Sequence, residues 1–175
     1  MKTIIFREDF SPETTQALIN EIEQPGQREK EHDIRILFSC QGGASDMAHA
    51  IEDCINELPE SFNVELVITY QACSSAFDLF VKAKCQKRLY DEANAIVHLY
   101  SRNVSAREVI NSDDSYDKFL VEYLKKANLR YLAWLKRLDI FTPKELKRIA
   151  KGGDVYVERR RLQKIIDDQE ESRHG

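Results

Sequence analysis

Apolar and polar positions in the first hundred residues switch between two periods. Residues 3–6 (TIIF), 34–39 (IRILFS), 64–69 (VELVIT) and 94–98 (NAIVH) are short apolar runs of strand length. Helical spacing fills the gaps. Ser11 and Pro12 open a helix with Leu18, Ile19 and Ile22 on its apolar side. Ala44, Met47, Ala48, Ile51, Ile55 and Leu58 recur at three- and four-residue steps until Pro59 ends the run. Phe77, Phe80 and Val81 repeat that spacing after the third strand. The polar stretch 24–33 (QPGQREKEHD) reads as a surface loop around Pro25-Gly26. Alternating strands and helices predict an α/β fold, a sheet with helical crossovers.

The pattern then becomes wholly helical. Tyr116, Phe119, Leu120, Tyr123, Leu124, Ala127, Tyr131, Trp134, Leu135 and Leu138 form one long stripe, predicting a helix over about 113–138, with Leu129 and Leu132 lying off it. One apolar face packs on the protein's own core; the surplus suggests a contact between subunits. Thr142-Pro143-Lys144-Glu145 has the form of a capping box that starts a short helix, and Gly152-Gly153 stops it. Asp154 to Val157 (DVYV) predicts a last strand. The charged segment from Glu158 starts as a helix and frays, with Arg159, Arg160 and Arg161 on a solvated face.

Length and composition narrow the classes. With 175 residues the chain suits one domain. Hydrophobic residues at 42% are too many for a disordered chain. A net charge of -4, from 26 basic and 30 acidic residues, argues against nucleic acid as a partner. Arg7, Glu8 and Asp9 cut off the first apolar run, so no signal peptide is visible, and no run is long enough to span a membrane. A cytoplasmic address is the default. Cys40, Cys54, Cys73 and Cys85 show no metal-ligand spacing and read as small core residues; no metal or other cofactor is implied.

Two breaks directly after strands carry the atoms of a reaction site. Gly42-Gly43 stands between a strand and a helix, where backbone N–H groups can point at an anion, although a tight turn alone also explains the pair. It is not a phosphate loop, because neither nucleotide-binding glycine pattern occurs. The run Gln71 to Ala76 (QACSSA) is made of small residues between a strand and a helix, the setting of a nucleophile elbow; taken alone, its serine is an N-cap. His98 ends a strand and Asp154 opens another. Each of these is commonplace singly.

Together they resemble one family, the proteolytic subunit of the Clp protease, ClpP, with its phage and mobile-element relatives. Residues 34–58 are similar to that family's strand, S-P-G-G turn and helix, and residues 66–98 to its next strand, G-Q-A-A-S-M-G nucleophile turn and the strand ending in its histidine. Lys87-Arg88 matches a Lys-Arg pair common there, and DVYV at 154–157 resembles the strand that starts with the triad aspartate. The resemblance covers residues 3 to 157. It implies a ClpP/crotonase-like repeated β-β-α core with a long protruding handle-like helix, over residues 1–157, and a charged C-terminal helix and tail over 158–175. It further implies a serine endopeptidase with Ser74 as nucleophile, His98 as base and Asp154 orienting the imidazole, the N–H groups of Gly43 and Ser75 forming the oxyanion hole.

Peptide or protein would be the substrate, and copies would assemble as a homo-oligomeric ring through the long helix, with no nucleic acid or membrane involved. Gln41 replaces the family's proline, Tyr70 and Ala76 replace glycines of the nucleophile turn, and LYSRNVSAREV replaces a Gly-rich segment after the histidine. The chain starts close to the first core strand, which argues against a Clp-type ATPase partner. The rival readings are a catalytically impaired scaffold or assembly subunit of the same fold, and a crotonase-type acyl-CoA-binding enzyme, which shares only the Gly turn.

Overall fold

The computed structural model describes residues 1–24, 33–100 and 114–174. Most of the loop expected at 24–33, and the part of LYSRNVSAREV beyond Tyr100, lie outside the described residues. So does the side chain of Tyr116. Contacts divide the chain into two compact units, Met1–Val97 with Tyr156–Gly175, and His98–Val155.

The first unit is built on strands β1 (Lys2–Phe6), β2 (Asp33–Cys40), β3 (Asn63–Ala72), β4 (Gln86–Leu89), β5 (Asn94–Val97) and β6 (Val155–Glu158). Their order is β1-β2-β3-β5-β6, with β4 also on β3. The pairings of β1 with β2 and of β3 with β2, β4 and β5 are all parallel, as the alternation of strand and helix requires. β2 takes one edge of β3. The other edge is shared in succession, by β4 along Glu65–Ile68 and by β5 from Gln71. The β4 segment was not expected, since QKRL carries one apolar residue.

Register explains the core. Ile4, Ile36 and Leu66 lie side by side across three strands, as do Phe6, Phe38 and Ile68, and all six are buried. Phe10 joins Phe6 and Phe38, with ring centroids 5.7 and 6.0 Å away. Arg35 and Glu65, paired in the same register, form an ion pair.

Helices α1 (Pro12–Glu23), α2 (Ser45–Glu57) and α3 (Ser75–Lys82) pack in sequence, α1 on α2 and α2 on α3. Ser11 and Thr14 cap α1 reciprocally, with Pro12 at its first turn. The charged C-terminal segment is helical to His174 instead of fraying. This last helix, Arg159–His174, buries Leu162, Ile165 and Ile166 and packs on β4 and β5. Its Gln169 donates to Val81 O at 2.8 Å, and Lys87 Nζ donates to Ala83 O at 2.7 Å and to Gln169 Oε1 at 2.8 Å. Thus Val81 O and the carbonyl of the C-cap Ala83 are satisfied, with a cation at the negative helix end.

The second unit contains α4 (Asp114–Arg137) and α5 (Pro143–Ala150), which pack on each other. Helix α6 is Arg159–His174. Thr142 and Glu145 form the expected capping box, with Glu145 N–H donating to Thr142 Oγ1 at 3.3 Å. The apolar stripe of α4 divides: Tyr131 and Leu135 are buried, while Phe119, Tyr123 and the off-stripe Leu129 are exposed. Among the described residues no helix is long and apolar enough to cross a membrane.

Burial of α6 predicts that Leu162→Ala destabilises the protein by about 2–5 kcal/mol in urea denaturation, a cavity cost. Exposed Arg160→Ala should change it by less than about 0.5 kcal/mol. Equal effects would mean that α6 does not belong to the folded core.

Candidate active site

The site starts from an irregularity in the sheet. Phe38 pairs with Ile68, but two residues later Cys40 pairs with Ala72, so β3 contains two extra residues. Such a bulge bends the strand and re-aims the residues beyond it. Here it brings two turns together. Cys73 N–H donates to Cys40 O at 3.0 Å, and Gly42 N–H donates to Cys40 Sγ at 3.2 Å.

Gly42 and Gly43 both lie at positive φ, 112° and 129°. They also have no room for a side chain. A Cβ on Gly42 would stand 2.8 Å from Cys73 O and from Ser74 Cβ, and one on Gly43 would stand 2.5 Å from Phe10 O. Phe10 brackets the turn, its N–H donating to Gly42 O at 2.7 Å and its carbonyl accepting from Ala44 N–H at 3.2 Å. The glycine pair is therefore required by close approach as well as by backbone conformation.

Ser74 has φ 55° and ψ -128°, a conformation that L-residues avoid. It precedes the first residue of α3, yet its side chain makes no capping hydrogen bond. The ordinary reason for a serine there is thus absent. Instead the hydroxyl sits at the N-terminus of α3 beside the glycine turn, where a Cβ on Gly42 would lie 3.4 Å from Ser74 Oγ. Ser74 N–H donates to Ile96 O at 2.7 Å, which ties the turn to β5. Tyr70 and Ala76 lie outside the positive-φ set, so the backbone needs no glycine at either place. The Tyr70 side chain is exposed, and Ala76 is fully buried.

The predicted oxyanion donors belong to the same two turns. Among the described residues, neither Gly43 N–H nor Ser75 N–H has a protein acceptor. The Ser75 hydroxyl donates to Gly43 O at 3.1 Å and so holds one turn to the other. Uncommitted N–H groups at a helix start suit a developing negative charge.

His98 and Asp154 are in the second unit. His98 is half-buried, and its Nδ1 lies 2.7 Å from Leu99 O. A carbonyl only accepts, so Nδ1 carries a proton, and in the neutral imidazole Nε2 then keeps its lone pair. Asp154 is exposed, and among the described residues it makes no hydrogen bond or ion pair, including to His98. Sequence reasoning did not find Leu99 O as the partner of His98, because a backbone acceptor leaves no residue-type signature. Nor did it find Cys40 Sγ as the acceptor for Gly42.

Neighbouring thiols are poor nucleophiles. Burial pushes Cys40 up to about 12, and burial also raises Cys73. All four cysteines are free, and three of them are buried.

No protein-family model matches the chain, and no curated protein does. Among solved structures, a ClpP1 mutant from Listeria monocytogenes is similar over 94% of this chain and 86% of that one, with a TM-score of 0.65 at 13% identity. That likeness is one of backbone architecture, and it agrees with the mixed α/β arrangement of six helices and six strands found among the described residues. The chain has a ClpP-like fold.

Proposed function

We propose that this ClpP-like protein is a serine peptidase in which Ser74 is the nucleophile and His98 its base. The observation that carries the reading is the backbone of Ser74, at φ 55° with an uncapped hydroxyl at the start of α3. Strain of this kind costs about 1–3 kcal/mol, and a plain N-cap would not need it. The uncommitted N–H groups of Gly43 and Ser75 support the same reading. So does covalent geometry. Ser74 N–H is hydrogen-bonded to Ile96 O, and His98 comes two residues after Ile96, with Cα atoms within about 7 Å of each other.

On this reading Ser74 Oγ attacks a peptide carbonyl carbon as its proton passes to His98 Nε2. The carbonyl oxygen becomes an oxyanion held by Gly43 and Ser75 N–H. The imidazolium then protonates the departing amine, leaving an acyl ester on Ser74. Water, deprotonated by His98, hydrolyses that ester and restores the hydroxyl. One oxyanion donor is worth about 3–4 kcal/mol in a known protease, so the glycine turn matters as much as the nucleophile. Copies of the chain would associate through α4, where Phe119 and Leu129 are each 67% exposed and Tyr123 is 61% exposed.

A fluorophosphonate probe should label the parent protein and leave Ser74→Ala unlabelled. Labelling that persists in the variant moves the nucleophile elsewhere, and a folded parent that never labels favours the assembly-subunit reading. Because burial keeps the Cys73 thiol protonated, iodoacetamide at pH 8 should leave labelling unchanged. Thermal or urea denaturation should rank Ser74→Gly above Ser74→Ala by about 1 kcal/mol or more, since glycine removes the positive-φ strain. Sedimentation at micromolar concentration should give a mass above the 20.4 kDa of one chain, reverting to it in Phe119→Glu/Leu129→Glu.

A further inference from the structure

His98 is held by a device that runs through a single peptide unit. The acceptor for its Nδ1–H is Leu99 O, at 2.7 Å. That carbonyl belongs to the planar amide whose other end is Tyr100 N–H. Across a trans peptide the two groups point in opposite directions, so whatever fixes one aims the other. Tyr100 N–H donates to Asn128 Oδ1 at 2.9 Å, and Asn128 Nδ2 donates to Tyr100 O at 3.2 Å. One side chain on α4 therefore grips Tyr100 on both sides. Its ring is held as well, 4.7 Å from that of Tyr131, which in turn stacks on Trp134 at 5.4 Å. Tyr131 is buried and half-buried Trp134 backs it, so this anchor belongs to the packed part of α4.

From this geometry we infer that Asn128 is the positioning residue for the base: it orients the Leu99–Tyr100 peptide, whose carbonyl selects the Nδ1–H tautomer of His98. The inference rests on the peptidase reading for its catalytic meaning, and not for its structural content. Accepting a hydrogen bond from the amide N–H also polarises the carbonyl at the far end, which strengthens it as an acceptor. The chain of contacts is Asn128 Oδ1, the peptide, then the imidazole, leaving Nε2 free to take a proton. The exposed carboxylate of Asp154 is not in it.

The test separates tautomer from turnover. Histidine ¹⁵N–¹H correlation spectra at pH 8, above the ordinary histidine range, should show His98 as the Nδ1–H tautomer in the parent, with the signal assigned by its loss in His98→Gln. Asn128→Ala should convert it to a tautomer mixture, and Asp154→Asn should leave it unchanged. Since Asp154 is exposed, its variant tests the proposal even where Asn128→Ala fails to fold. An Nε2–H tautomer in the parent, an unchanged signal in Asn128→Ala, or a switch in Asp154→Asn each overturns the proposal.

Fluorophosphonate labelling then reads the consequence. Asn128→Ala should slow it at least tenfold, and Asp154→Asn should stay within threefold of the parent. If Asp154 held the imidazole, its replacement would cost on the order of 10⁴-fold, as the wrong tautomer does in a known triad. Absence of labelling in every protein, together with the expected spectra, would sink the peptidase reading and leave the Asn128 device standing.

Discussion

Everything at the candidate site depends on how β2 and β3 lose register. Over Asp33–Phe38 the two strands run in step, and the buried rows they share with β1 fix which face points inward. Because a one-residue slip would turn Ile36 and Phe38 outward, that register is strongly held. The mismatch between Phe38 and Cys40 then falls opposite Thr69, Tyr70 and Gln71, none of which is buried. Two extra residues on β3 carry Cys73 to Cys40 O and set Ser74 against Gly42. A side chain at either glycine would collide with backbone, so the turns meet only because both positions lack a Cβ.

Stability and reactivity draw on the same few residues in opposite directions. A glycine at position 74 would relax the backbone, and an acceptor for the N–H groups of Gly43 and Ser75 would satisfy two polar groups. The chain does neither. Its neighbours hold the strain in place: Ile96 O fixes Ser74 N–H, Phe10 clamps the glycine turn from both sides, and the Ser75 hydroxyl ties that turn to α3. One restraint on Ser74 and two on the glycine turn beside it hold an unfavourable backbone in place, which supports the proposed reacting hydroxyl.

The pattern of apolar residues reveals most of this fold because burial forces it. Strands β1, β2, β3 and β5 and helices α1 to α5 arise from runs and spacings that the core requires. The capping boxes at Ser11 and Thr142 answer the orphan N–H groups at helix starts. What escaped, β4 and the packing and full length of α6, has equally physical causes. β4 is a short polar strand held by its neighbour's edge, so QKRL has no periodicity to read. The charged composition of α6 hides Leu162, Ile165 and Ile166, which alone decide that it packs. Ser74 and the glycine pair were legible through a motif, whereas the strain and the uncommitted N–H groups are properties of backbone geometry. For Asp154 the sequence gives the residue type and its place before β6, while its exposure is a property of the folded chain.

A neutral carbonyl and a carboxylate do different work for an imidazole. Both select the Nδ1–H tautomer, so both leave Nε2 able to accept a proton. Only the carboxylate adds a full negative charge beside the imidazolium that forms during attack, and that term grows where water is excluded. On the proposed peptidase reading, with Leu99 O in that place, His98 would be aligned while its cation faced a dipole, strengthened modestly through Asn128. More of the transition-state stabilisation would then rest on the proposed oxyanion side, on Gly43, Ser75 and the start of α3. The restraints are unequal in the same sense: the two turns carry two positive-φ glycines and the bonds made by Phe10, Ile96 and Ser75, while His98 Nδ1 meets one peptide carbonyl.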